Sequence, residues 1–280
     1  MPTLTSRLKS LFPEASGVSR KDWLVRGRVT VNGTVVRDGR TEVADADRIR
    51  LGGETVPRVV LAHPLRLVHE DDHLLVIDKP ADLLTIATDN EQNRTAYRMV
   101  FAYLGAKQPP VRPLIVHRLD RQTSGLLVLA KSTAAKRDLQ QQFAGRTVTR
   151  GYVAVVEGSV AKDEGVLEDH IVQNTALKVR KADARETGAK KAVTRYRVRE
   201  QRKTTTVLDV MLATGRRHQI RVQLAALGHP VVGDDTYHAK TDPIRRLCLH
   251  ATTLGFIHPG TGAAVRYESP IPANFKRVGR

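Results

Sequence analysis

A single cysteine, Cys248, in 280 residues excludes an intrachain disulfide, a cysteine-rich zinc site and a thiolate-held cluster. It fits a reducing, cytoplasmic setting. Aromatic residues make up only 4% of the chain. No broad aromatic interface is advertised, and a monomer is the default expectation. No run of 18 apolar residues occurs, so no helical membrane span is expected. Met1 to Ser10 holds no long apolar stretch, so a secretory signal is not expected either. There is no glycine-rich strand-to-helix fingerprint for a dinucleotide or a nucleoside triphosphate. Acidic residues are outnumbered, 29 against 46 Lys and Arg, which leaves a formal charge of +17.

What is present is enough apolar residue for a core, 41% of the chain, and a charge that asks for a polyanionic partner. Nucleic acid is the first such partner and an anionic membrane surface the second. The basic residues are dispersed among apolar segments, which argues against a disordered basic tail.

The first 60 residues or so read as a small separate unit. Leu8, Leu11 and Phe12 have helical spacing and Pro13 stops the helix. Ser19 is a candidate N-cap for a second helix, Arg20 to Arg26, with Gly27 as its breaker. Two β-prone runs then flank Asn32-Gly33, a hairpin signal. The order basic helix pair, then Gly27-Arg28-Val29-Thr30-Val31-Asn32-Gly33, resembles the S4 RNA-binding domain. The resemblance covers roughly Thr5 to Leu51 and implies Arg7, Arg20, Lys21, Arg26 and Arg28 as phosphate contacts. A domain at 1–53, a linker at 54–67 with a short strand at Val59-Val60-Leu61, and a larger domain at 68–280 are expected.

The larger domain shows many strands and few helices. Leu74 to Ile77, Leu114 to Val116, Leu126 to Leu129, Gly151 to Val156, Thr194 to Val198, Thr205 to Met211 and Leu247 to Leu249 read as strands. Asn93 to Leu104, Ser132 to Phe143 and His218 to Leu227 read as helices. The Lys-rich stretch from Asp183 to Lys191 reads as a surface hairpin loop. This pattern predicts an α+β domain around a largely antiparallel mixed sheet.

Between two strongly apolar strands lies a mostly polar segment, His117-Arg118-Leu119-Asp120-Arg121-Gln122-Thr123-Ser124-Gly125. A loop held at both ends by core strands suits a positioned reactive group. The segment matches the "H-R-L-D-x-x-T-S-G" signature of the RluA-type family of RNA pseudouridine synthases. Gly151-Tyr152-Val153-Ala154-Val155-Val156-Glu157-Gly158, Gly215-Arg216-Arg217-His218-Gln219-Ile220-Arg221-Val222 and Leu227-Gly228-His229-Pro230-Val231-Val232-Gly233-Asp234 follow in the family's order. The resemblance spans about 200 residues and implies the pseudouridine synthase fold. One departure stands out. Asp78-Lys79-Pro80-Ala81-Asp82 replaces the family's "N-K-P-A-G", and Asp82 in place of glycine predicts a different loop path.

By this resemblance, Asp120 is the catalytic carboxylate, Arg221 its cationic partner, and Tyr152 the aromatic that stacks on the target base. Arg118 helps fill the place of a flipped base. His117 either bonds the loop backbone or contacts phosphate. Thr123 fixes the loop, and Gln219 contacts RNA or braces Arg221. Isomerising uridine exchanges no electrons and moves no phosphoryl group, so no cofactor is expected. The histidines show no H-x-x-x-H or H-E-x-x-H spacing, so no metal is expected. The implied substrate is structured RNA, with large-subunit ribosomal RNA preferred over transfer RNA. Two other readings remain: a non-catalytic RNA-binding or ribosome-assembly protein, and a glycoside or nucleoside hydrolase. A lone carboxylate suits the second poorly, because sugar hydrolysis usually pairs two.

Overall fold

The computed structural model describes residues 2–25, 27–51, 61–89, 91–107, 110–174 and 178–279. The expected helix end at Arg26 and the expected strand residues Val59 and Val60 lie outside the described residues. The chain divides into two units, Met1–Val60 and Leu61–Arg280.

In the first unit, α1 (Leu4–Leu11) and α2 (Gly17–Val25) precede β1 (Val29–Val31), β2 (Thr34–Val35) and β3 (Ile49–Leu51). Thr3 caps α1 by accepting from the Ser6 amide at 3.3 Å. The cap of α2 is Ser16, whose Oγ accepts from the Ser19 amide at 3.0 Å. The helix therefore begins ahead of Ser19, the expected cap. Asn32 and Gly33 both have positive φ, 53° and 86°, the backbone that a tight Asn-Gly hairpin needs. The strands lie in the order β2-β1-β3. Leu4, Leu8, Leu24, Val29 and Val43 form the core, closed by an edge-to-face contact of Phe12 and Trp23 with centroids 5.4 Å apart.

The second unit is built on one 11-stranded sheet. Its strands are β4 (Arg66–Glu70), β5 (Leu74–Lys79), β6 (Leu114–Ile115), β7 (Ser124–Ala130), β8 (Thr149–Glu157), β9 (Glu164–Gln173), β10 (Val179–Ala182), β11 (Lys190–Gln201), β12 (Thr205–Leu212), β13 (Leu249–Ile257) and β14 (Ala264–Glu268). The path runs β10-β9-β11-β12-β8-β13-β7-β5-β4, with β14 on β13 and β6 on β7. Its ladders among the described residues are antiparallel except β7 with β13. Among the described residues, the α-helices that accompany the sheet are α3 (Ala96–Gly105), α4 (Thr133–Ala144) and α5 (Gln219–Ala226). Helix α4 starts where Ser132 Oγ accepts from the Ala135 amide at 3.1 Å. Its Ala135 and Leu139 join Leu74, Val76, Leu126, Val128 and Phe256 in a buried cluster. The α+β class and the largely antiparallel sheet agree with the sequence pattern.

The parallel pairing of β7 with β13 brings Ser124 and Gly125 opposite His250 and Ala251. Gly125 has φ 115°, and a Cβ there would fall 2.2 Å from the Ala251 carbonyl oxygen. Only glycine lets the two backbones approach this closely as the polar segment enters β7. Gly125→Ala is expected to lower stability by about 3 kcal/mol through the combined clash and backbone strain. Urea denaturation measures it, and a midpoint equal to wild type would refute the constraint.

Candidate active site

The segment from His117 to Gly125 crosses from β6 to β7 without regular pairing, yet it is pinned along its length. Thr85 Oγ1 donates to the Leu119 carbonyl at 2.7 Å and accepts from the Leu119 amide at 3.2 Å. Lys79, fully buried at the end of β5, donates to the carbonyls of Pro80, Leu83 and Arg121 at 2.8, 2.7 and 3.1 Å. Burial pulls the Lys79 ammonium down to about 7, against the attraction of Asp120 and Asp82. Ser124 Oγ accepts from Arg246 Nη2 at 2.7 Å and contacts His250 Nδ1 at 2.8 Å. Asp120 thus sits between two anchored neighbours, Leu119 and Arg121. Its half-buried carboxylate accepts no hydrogen bond among the described residues. A turn from the Asp120 carbonyl to the Thr123 amide, 3.2 Å, closes the bend.

Asp82 has φ 59°, the left-handed backbone that a glycine would take. The expected change of loop path is not forced, because a short polar side chain tolerates this region.

Asp120 lies in a cleft of about 1120 Å³ whose walls come from the polar segment, β8, the end of β12 and α5. The lining is basic: seven arginines, against Asp82 and Asp120 as the acids. Tyr152, in the middle of β8, lines it too and is only 9% exposed. Burial pushes its phenol up to about 12, with Arg150 pulling down and Asp120 pushing up. The ring therefore stays a neutral proton carrier at physiological pH. Arg118 is exposed at the cleft, and its guanidinium bonds to nothing among the described residues.

His117 is not a cation. Its ring stacks on Phe143 with centroids 4.6 Å apart, and its Nε2 accepts from the Val128 amide at 3.2 Å. Burial, then the charge of Arg150, pulls its pKa down to about 3. The ring braces the backbone of β7. Thr123 is buried and its Oγ1 has no partner.

Helix α5 carries the rest. Arg221 was expected to pair with Asp120, but its hydrogen bonds go elsewhere. Nε and Nη2 each reach a carboxylate oxygen of Asp234 at 2.6 Å, in a pair with both side chains buried. Asp120 lies within its electrostatic reach and, with Asp234, favours the charged guanidinium. Asp234 also accepts from the Tyr237 amide at 3.2 Å. The Tyr237 ring lies under the guanidinium at 5.3 Å. The Tyr237 hydroxyl donates to the Val179 carbonyl at 3.0 Å and meets His218 Nδ1 at 3.0 Å. Asp234 and Tyr237 were given no role by sequence reasoning, although the quoted Gly233-Asp234 segment contains the first. Gln219, expected as an RNA contact, is saturated inside the protein. Its Oε1 accepts from Thr214 Oγ1 and the Arg216 amide, and its Nε2 donates to the Val193 carbonyl and Thr194 Oγ1. It holds the turn before α5 instead.

In the first unit, Lys21 is exposed and bonds to nothing among the described residues. Arg7 pairs with Asp45 at 3.3 Å. Arg20 donates to the Phe12 carbonyl at 2.9 Å and to that of Ala15. These bonds close the end of α1. Arg28 is half-buried, and Arg26 lies outside the described residues.

Comparison with known proteins places this geometry. The family model described as RNA pseudouridylate synthase matches residues 73–226. "Ribosomal large subunit pseudouridine synthase D" of Xanthomonas campestris is 36% identical over 97% of this chain and 86% of its own. The protein of the same name from Vibrio cholerae is 35% identical over 96% of this chain and 87% of its own. Among solved structures, "Human RNA Pseudouridylate Synthase Domain Containing 1" is similar with a TM-score of 0.60 and 28% identity. It covers 74% of this chain and 83% of its own.

Asp234→Asn leaves a buried guanidinium without its countercharge. The expected loss of stability is about 3 to 5 kcal/mol, read by urea denaturation. A loss below about 1 kcal/mol would show that the pair does not fix Arg221.

Proposed function

The chain belongs to the RNA pseudouridylate synthase family, and from that premise we propose that it isomerises uridines of large-subunit ribosomal RNA, with Asp120 as the acting carboxylate. The observation that carries the assignment is the unbonded Asp120 carboxylate. It is held by anchored neighbours on both sides, in an arginine-lined cleft that also holds Tyr152. The ribosomal target rests on the names of the relatives and on a charge of +17, which suits a large folded polyanion.

The reaction asks for what this cleft supplies. The N1–C1′ glycosidic bond breaks, the freed uracil turns in place, and a C5–C1′ bond forms. The proton leaving C5 is matched by the one gained at N1, so the base and sugar keep their composition. Asp120 acts at the ribose, and the walls keep the detached base from escaping. Tyr152 offers a ring for the base to stack on and a phenol that keeps its proton at neutral pH. Arg221, fixed by Asp234, adds positive charge near Asp120. Arg118, free and exposed, is placed to meet the RNA where the base has left its stack. In the first unit, the helix pair and Asn-Gly hairpin are S4-like, and exposed Lys21 is its candidate phosphate contact.

Purified protein incubated with unmodified large-subunit ribosomal RNA is the test, read by nucleoside analysis. Wild type is expected to convert uridine to pseudouridine. Asp120→Asn is expected to lose at least about a thousandfold in rate, with RNA affinity within about tenfold, or 1.4 kcal/mol. Wild-type rates in that variant would remove Asp120 from the chemistry. Free uracil as product would mean hydrolysis, and binding without product would mean an RNA-binding protein.

A further inference from the structure

Arg150 is a charge in the cleft that the steps above leave unused. It is the second residue of β8, two positions before Tyr152, so both side chains leave the same face of the strand. It is only 9% exposed. Its bonding is poor for a buried guanidinium. Nη2 reaches the Ala213 carbonyl at 3.4 Å, and Nε is buried with no partner. No carboxylate pairs with it among the described residues. The ionisable groups that act on it are Tyr152, a neutral phenol, and Arg216, a like charge.

Arg202 also has a buried Nε without a partner, but it and Arg221 differ from Arg150 in each having a carboxylate. Arg221 has both oxygens of Asp234. Arg202 has the carbonyls of Phe275 and Val278 at 2.7 and 2.8 Å and the Glu200 carboxylate at 2.8 Å. Arg150 instead lies over the Phe143 ring at 5.6 Å. Its Nη1 passes directly over Gly215, where a Cβ would fall 2.3 Å away. Arg150 and Gly215 both line the cleft. Gly215 thus makes room for a cation that the protein leaves unpaired.

A buried charge without a countercharge is strongly destabilising, and it is relieved when a ligand brings the missing anion. We propose that Arg150, assisted by Arg216, forms a phosphate subsite in the cleft that holds a backbone phosphodiester of the RNA beside the nucleotide whose base reaches Tyr152. The inference rests on the RNA substrate proposed above and names a contact within it. The planar fork of a guanidinium matches the oxygens of a phosphodiester, and phosphate is the anion that every nucleotide carries. Arg216 is exposed and lines the same cleft, which adds a second positive charge at the subsite.

The test compares wild type, Arg150→Gln, Arg150→Lys and Gly215→Ala. Affinity for a large-subunit ribosomal RNA fragment is measured across potassium chloride concentrations, with steady-state isomerisation rates on the same preparations. Arg150→Gln is expected to weaken binding about tenfold and to flatten the log–log salt slope by about 0.7 to 0.9. KM should rise while kcat holds within about threefold. Arg150→Lys keeps the charge and should restore most of the slope. Gly215→Ala keeps the arginine but pushes its guanidinium off its seat, and should behave like Arg150→Gln. If Arg150→Gln does not fold, Gly215→Ala decides alone. An unchanged slope and affinity in the variants overturns the subsite, and so does a fall in kcat at unchanged affinity. Wild type that binds the RNA but does not isomerise it overturns the functional reading alone. Wild type that does not bind RNA overturns both.

Discussion

A loop without regular pairing must satisfy its backbone carbonyls from within, and in this protein much of that falls to Lys79. The ammonium is fully buried and donates to three carbonyls, one of them Arg121 in the polar segment. Thr85 holds the neighbouring Leu119 by both its amide and its carbonyl. Together they let the Asp120 carboxylate stand between two apolar strands with no hydrogen bond of its own among the described residues. Burying a lysine is unfavourable by itself, and three acceptors with two nearby carboxylates offset it. The arrangement trades stability for a fixed position, as preorganised sites do.

The cleft then separates its charges by the company each keeps. Lys79 is matched by carbonyls and Arg221 by Asp234, whereas Arg150 has one long bond to the Ala213 carbonyl and no carboxylate among the described residues. The first two are structural supports of the site. The third is the pattern of a group that waits for an anion. Asp120 is the reverse case, a carboxylate whose oxygens are left without hydrogen bonds inside a positive lining. A folded polyanion entering this lining meets attraction at the walls and, among them, the Asp120 carboxylate to which the chemistry is assigned by the proposal.

Much of this was readable from the residues. The polar segment stood out because apolar strands bound it on both sides, and the cap at Ser132 was legible from its position before α4. Direction was not legible. His117 and Gln219 are polar residues inside recognised motifs, yet both turn inward and bond to backbone. Sequence shows what a side chain is and not where it points. Asp234 and Tyr237 were missed because they meet Arg221 only after the chain has passed through α5 and reversed. Arg150 was invisible among 46 basic residues, since only burial without a carboxylate partner distinguishes it. The strands β9, β10 and β14 were missed for a different reason. They mix charged and polar residues with scattered apolar ones, EGVLEDHIVQ, VRKA and AVRYE, and no strong apolar run marks them.

The most direct measurement is pseudouridine mapping at single-nucleotide resolution on total RNA from cells with and without this gene, complemented by wild type or by Asp120→Asn. The account predicts a uridine in large-subunit ribosomal RNA whose modification disappears with the gene and returns with wild type alone. Restoration by Asp120→Asn, or a map unchanged by loss of the gene, would contradict it.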